Sequence, residues 1–186
     1  MKSGEGKIRI IGGLWRGRKL IVPDIIGLRP TPDRLRETLF NWLMPYITGA
    51  SCLDLFAGSG VLGFETLSRG AQHAVLIEEN YLIAQHLQQQ LQSFPHAPIK
   101  IIHQDALLFL KQNPTPFDVV FLDPPFHKNL LNPSIELLQK GWLAPRALIY
   151  VEIEKNGSFN IPNYWELLRQ QQSRQTQSFL FFNSEG

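Results

Sequence analysis

An acid, two prolines and an aromatic ring follow directly on an apolar run in Phe117-Asp118-Val119-Val120-Phe121-Leu122-Asp123-Pro124-Pro125-Phe126. The Val- and Phe-rich run predicts a strand buried on both faces. Prolines cannot continue strand pairing and they fix the backbone. Asp123 and Phe126 are therefore expected at a set place off the carboxyl end of a central strand, held there by Pro124 and Pro125. Open α/β sheets bind their ligands at that edge. The chemistry these residues could do is a reaction on a flat, amine-bearing ring. An exocyclic base amine is a poor nucleophile because its lone pair is delocalised into the ring. The Asp123 carboxylate and the Pro124 carbonyl could both accept its hydrogen bonds and hold the nitrogen in line with an electrophilic methyl group. Phe126 would stack on a base taken out of its own stack. The plain alternative is an ordinary tight turn after a buried strand, and two further motifs at compatible spacing weigh against it.

The first of these is Ser51–Glu65, which predicts a buried strand, a small-residue loop and a helix. A helix start offers free backbone N–H groups, and Gly58, Ser59 and Gly60 let a ligand approach the chain closely. Gly58–Gly63 also satisfies the dinucleotide pattern G-x-G-x-x-G, a weak match when it stands alone. Here Asp54 lies inside the strand, with Phe56-Ala57 after it, whereas in the usual dinucleotide arrangement the first glycine follows the apolar strand directly. An acid at Asp54 can hold an ammonium group, which S-adenosylmethionine carries and NAD does not. The second motif is Glu78, at the tip of the strand Ala74–Ile77, where an acid is placed to accept both hydroxyls of a ribose. Asp105 stands just beyond a third strand near Ile99–His103.

Strand and helix alternate along the rest of the 186 residues, which predicts a doubly wound, mostly parallel α/β sheet. A helix is expected from Thr31 as N-cap and Pro32 at the first helical position, with Leu35, Leu39, Trp42 and Leu43 toward the core. Further helices are read at Asn80–Gln92 and Leu130–Lys140, and a strand at Ala147–Ile153. Trp165–Arg169 and Phe179–Phe182 are expected to close the sheet as a terminal pair, with Gln170-Gln171-Gln172 in a polar turn.

Ahead of this sheet, residues 7–22 read as two short strands around glycine turns, with Ile8, Ile10, Leu20 and Val22 alternating with Lys and Arg. The first 36 residues carry a net charge of +6, and the remainder carries −4 of the overall +2. A polyanion partner fits that asymmetry, although a merely solvated basic arm fits it as well. Arg9, Arg16, Arg18 and Lys19, followed by Arg34 and Arg36, are the candidate phosphate-binding residues, with Trp15 as a stacking or packing group. The expected division is residues 1–30 as a basic RNA-binding hairpin extension and residues 31–186 as the catalytic domain.

The single cysteine, Cys52, excludes an internal disulfide and reads as core. His73, His86, His96, His103 and His127 lack metal-ligand spacing, so no metal is expected. No apolar run approaches the length of a membrane span, and a soluble, cytoplasmic, monomeric protein is expected.

Asp54–Gly60 together with Asp123–Phe126 resemble class I S-adenosylmethionine-dependent amino-methyltransferases. Arg9–Leu20, Leu28–Leu43 and Gly141–Glu152 closely resemble the bacterial 16S ribosomal RNA guanine-N2 methyltransferase family called RsmD. The resemblance covers nearly the whole chain and is weakest after about residue 155. It implies a seven-stranded Rossmann-like sheet and methyl transfer to the N2 amine of one small-subunit guanine, in 16S rRNA of an assembled or assembling subunit. By motif match, Gly58, Ser59 and Gly60 would line the methionine end of S-adenosylmethionine, supported by Asp54. Glu78 would take the ribose, Asp105 the adenine amine, and the Ala106 backbone the adenine edge. Asp123 through Phe126 would hold the target base. The residues alone leave guanine against adenine open, so an N6-adenine or N4-cytosine DNA methyltransferase is the rival reading, and a non-catalytic RNA-binding protein on this fold is another.

Overall fold

The computed structural model describes residues 6–23, 32–126 and 128–184. Strands β1 (Gly6–Arg9) and β2 (Lys19–Val22) form an antiparallel ribbon with Ile8 opposite Leu20. The seven-stranded main sheet comprises β3 (Ser51–Asp54), β4 (His73–Glu78), β5 (Ile99–His103), β6 (Phe117–Leu122), β7 (Leu143–Glu154), β8 (Trp165–Gln172) and β9 (Thr176–Asn183). Their order across the sheet is β5-β4-β3-β6-β7-β9-β8. The pairings among β3 to β7 are parallel, and β9 lies antiparallel between β7 and β8. From β3 the chain winds outward to β4 and β5, then returns to lay β6 against the other side of β3. The β3–β6 seam is therefore the topological switch point, and ligands bind beyond the carboxyl ends of such a seam.

Period-2 alternation divides β6 between two cores. Val119 and Phe121 join Leu39, Phe40 and Leu43 of α1 (Asp33–Leu43), Phe64 of α2 (Val61–Ser68) and Leu87 of α3 (Tyr81–Leu91). Val120 and Leu122 join Phe109 and Leu110 of α4 (Ala106–Leu110) and Ile135 and Leu138 of α5 (Leu131–Leu138). Helices thus cover both faces, which is why the central strands are mostly apolar.

Several readings depart from expectation, β7 among them, which begins at Leu143 rather than Ala147. Pro32 is the N-cap of α1 rather than its first helical residue, and Thr31 lies outside the described residues. The short α4 was hidden because five residues show too little periodicity to read. Gln170-Gln171-Gln172 is strand, not turn: the three residues pair with Phe179, Ser178 and Gln177 of β9. β8 is an edge strand, and an edge strand tolerates polar side chains that a central one would not. The turn proper is Ser173–Gln175, where the Ser173 hydroxyl oxygen accepts from the Gln175 and Thr176 N–H groups at 3.1 and 2.9 Å.

The basic ribbon is bolted to α2. Glu65, fully buried, accepts the N–H groups of Ile11 and Gly12 at 2.9 and 2.8 Å. It also pairs with Arg69 Nε at 2.9 Å and with Arg36 at 3.5 Å. Leu14 N–H donates to the Ser68 carbonyl at 2.6 Å. At Gly13, with φ +75°, a Cβ would lie 1.8 Å from that same carbonyl oxygen, so only glycine permits the seam.

Candidate functional site

Acids from β3 to β7, or from the turns that follow these strands, reach one space. Asp54, Glu78, Asp105, Asp123 and Glu152 line a cavity of about 770 Å³ together with Phe56–Ser59, Ala106 and the Pro124-Pro125-Phe126 turn. That volume suits a cofactor-sized ligand. The structure thus brings together Asp54, Gly58, Ser59, Glu78, Asp105, Ala106, Asp123, Pro124, Pro125 and Phe126. Gly60 is not among the lining residues. Its φ of +74° turns the loop, and a Cβ there would meet Leu87 Cδ2 at 2.6 Å, so it shapes the loop from behind.

Asp54 is 2% exposed, and burial pushes its carboxyl up to about 7, with the negative charge of Glu78 adding to the rise and the Phe56 N–H opposing it. Its Oδ1 is buried with no hydrogen-bond partner among the described residues. A buried acceptor left unmatched costs free energy, so this wall of the cavity suits a donor, above all a cation. The raised pKa has a stability consequence. Between the ordinary 3.8 and about 7 the folded protein keeps a proton that the unfolded chain has released. Stability contributed by the protonated group is therefore full below that window and is lost as pH rises through it. Denaturant midpoints measured from pH 4 to 8 should show this fall, and Asp54→Asn should flatten it. An identical pH slope in the Asn variant would refute the assignment.

Glu78 sits where β4 ends. Its two oxygens accept the N–H groups of Gly58 and Asn80 at 2.9 and 2.8 Å, tying the glycine loop to the strand tip. Each oxygen keeps a further lone pair, the requirement for receiving a pair of hydroxyls. Burial raises the Glu78 pKa, and the two backbone hydrogen bonds oppose that rise. Asp105 is the N-cap of α4, with Oδ1 accepting from Leu108 N–H at 2.8 Å, which leaves Oδ2 as the oxygen suited to a ligand amine. Cys52 is buried and its thiol is pushed up to about 12 by burial, so it stays a protonated core residue.

Sequence reasoning missed several residues of the cavity wall. Lys128, ion-paired with Glu79, Ser173 and Thr176 of the β8–β9 turn, and Glu152 all line it. Lys128, Ser173 and Thr176 gave no sequence signal, because only the folded sheet brings them to the site. Glu152 did give one: it is an acid inside the otherwise apolar run Leu148–Ile153. His127 lies outside the described residues.

The ribbon divides the candidate phosphate-binding residues. Arg9, Arg16, Lys19 and Arg34 are exposed. Arg18 is partly committed, donating to the Ser93 carbonyl with its guanidinium carbon 3.9 Å from the Phe94 ring centroid. Trp15 packs edge-on against Phe94 at 4.9 Å, so it is a packing group. Arg36 must be removed from the RNA-facing set. It is wholly buried, donating to the Arg9 carbonyl at 2.9 Å and pairing with Asp33 at 2.6 Å and with Glu65. Among the described residues no group of three or more His, Cys, Asp or Glu could hold a metal ion.

Comparison with known proteins places this geometry in context. The family described as Conserved hypothetical protein 95 matches residues 8–182. Ribosomal RNA small subunit methyltransferase D of Escherichia coli is 54% identical over 170 residues, covering 90% of this chain and 86% of that protein. Its counterpart of the same name in Haemophilus influenzae is 53% identical over 173 residues, covering 90% of each. A solved Escherichia coli protein described as a methyltransferase, yhhF, superposes with a TM-score of 0.90 at 48% identity, covering 97% of this chain and all of that one. A Thermus thermophilus 16S rRNA N2 methyltransferase (RsmC), solved with AdoMet and guanosine, shares the fold at 18% identity and a TM-score of 0.71. That match covers 97% of this chain and 50% of the RsmC chain.

Proposed function

The chain belongs to the ribosomal RNA small subunit methyltransferase D family, and from that premise we propose that it methylates the exocyclic N2 of a guanine in 16S ribosomal RNA, using S-adenosylmethionine. The observation that carries the reading is the meeting of the unmatched Asp54 oxygen, the Glu78-braced glycine loop and the Asp123–Phe126 turn in one cavity. The residues fit the cofactor. Asp54 offers its buried carboxylate to the ammonium group, Glu78 its spare lone pairs to the ribose, and Asp105 with Ala106 their polar atoms to the adenine. When bound, S-adenosylmethionine supplies an electrophilic methyl on a sulfonium, whose leaving group is a neutral thioether.

Everything else falls to the chain. The Asp123 carboxylate and the Pro124 carbonyl accept the two N–H bonds of the base amine. This orients the nitrogen and enriches it as the lone pair leaves ring conjugation. Asp123 also takes the proton that the nitrogen sheds after alkylation. Phe126 supports the base by stacking once it has left the RNA stack. The exposed Arg9, Arg16, Lys19 and Arg34 supply phosphate contacts, which set affinity and register rather than sequence.

The reading takes the substrate to be rRNA within an assembled or assembling small subunit in the cytoplasm, and the enzyme to act as a monomer. No described helix is long and apolar enough to cross a membrane. The test is mass spectrometry of rRNA after purified protein and labelled S-adenosylmethionine are incubated with naked 16S rRNA or with purified small subunits lacking the modification. N2-methylguanine at a single position in the subunit sample is expected. Methyladenine, methylcytosine or no label in either sample would overturn the proposal.

A further inference from the structure

One buried acid in the cavity has no work in the reaction described so far. Glu152 is 5% exposed and lies in β7, the immediate parallel neighbour of β6. The register pairs Leu122 with Val151, so Asp123 and Glu152 follow in step on adjacent strands. Adjacent strands are about 4.8 Å apart, so residues in step on them are neighbours, and both Asp123 and Glu152 line the cavity. Tyr150, wholly buried two residues earlier, donates its hydroxyl to Glu152 Oε2 at 2.8 Å. Burial, with the Glu152 charge next in weight, holds that phenol well above its usual pKa, so it remains a donor. Glu152 is thus aimed by a locked neighbour rather than left to swing. It also borders a second cavity of about 330 Å³ that shares the Pro124-Pro125-Phe126 turn with the main one. Glu152 and Phe126 therefore face the same space.

We propose that Glu152 is a specificity residue that accepts the N1–H of the target guanine, while Asp123 and the Pro124 carbonyl hold its N2 amine. The inference rests on the guanine-N2 reading above and deepens it. The Watson–Crick edge of guanine presents N1–H and the N2 amine next to one another, a row of donors suited to two adjacent carboxylates. Adenine presents a bare N1 lone pair at the corresponding ring position, and cytosine a bare N3 beside its amine. Either would set an acceptor against the Glu152 charge. A site built around a buried hydrogen-bonding group rejects analogues lacking the partner far better than an apolar pocket rejects a misfit. The Asp-Pro-Pro-Phe turn then selects an amine, and Glu152 selects which ring carries it.

The decisive comparison uses 2-aminopurine, which keeps the N2 amine but has no proton on N1. Small subunits reconstituted with 16S rRNA carrying either guanine or 2-aminopurine at the target position serve as substrates. Wild-type protein should favour guanine by roughly 10- to 100-fold in kcat/KM, the range expected for one hydrogen bond to a charged group. In Glu152→Gln that ratio should fall toward one, because the neutral amide can accept from guanine N1–H or donate to the bare N1. Calorimetric affinity for S-adenosylmethionine should stay unchanged. A wild-type ratio near one, a ratio unaltered in Glu152→Gln, or an equal loss on both bases would each overturn the assignment. Wild-type protein inactive on the guanine subunit would instead remove the reaction on which the assignment rests.

Discussion

Asp123→Ala is expected to lower methyl transfer by on the order of 10²- to 10³-fold while leaving S-adenosylmethionine affinity near wild type. The reason is positional. Asp123 lies past the end of β6, on the part of the cavity wall made by the Pro-Pro turn, whereas Asp54, Gly58 and Glu78 make the wall on β3 and β4. On the proposed reading, removing the carboxylate takes away one of two acceptors that orient the amine and oppose its delocalisation, and takes away the group that receives its proton. Asp123→Asn keeps an acceptor oxygen and should fall between the two. Single-turnover assays on small subunits, with calorimetry for the cofactor, separate the two effects. Turnover within threefold of wild type in the Ala variant would exclude Asp123 from the chemistry.

The second large effect lies away from the site. Glu65→Ala should cost about 3–5 kcal/mol of stability, the penalty for removing one member of a buried charged pair. The partner is Arg36, which lies against Glu65 with neither side chain exposed to solvent. The same substitution leaves the Ile11 and Gly12 amides without their acceptor, so the ribbon should loosen before the sheet does. Urea midpoints give the total, and hydrogen exchange at Ile11 and Gly12 gives the local part. Arg36→Met combined with Glu65→Leu should recover much of the loss, because apolar replacement of a buried pair is often tolerated. A loss under 1 kcal/mol in Glu65→Ala would mean that the cluster does not hold the ribbon.

Which features were legible follows from how local their causes are. β6 and its turn could be read because apolar β-branched residues, then prolines, carry their meaning within ten positions. The Gly58–Gly60 loop and Glu78 were readable for the same reason, each being a strand end with a short signature. Glu65 was not, since nothing near it says that it meets Ile11, 54 positions away. Arg36 was misassigned because its charge was weighed and its phase was not. Residues 36, 39, 40 and 43 form the buried stripe of α1, and the spacing alone would have put Arg36 among them. Gln170–Gln172 misled by composition, since a polar run denotes a turn only where no neighbouring strand offers a ladder. Glu152 showed itself as an acid in an apolar strand, but its place beside Asp123 depends on the register of β7 against β6.

The bolting of the ribbon to α2 also sets a sequence of events during synthesis. The basic ribbon leaves the ribosome ahead of α2, and the acceptors for its turn, Glu65 and Ser68, are made more than fifty residues later. Closing a segment of that length costs about 3–4 kcal/mol of chain entropy, recovered only once α2 exists to receive it. The ribbon of the nascent chain thus stays undocked until then. It gains its seat only when the helix that follows the Gly58–Gly60 loop has folded.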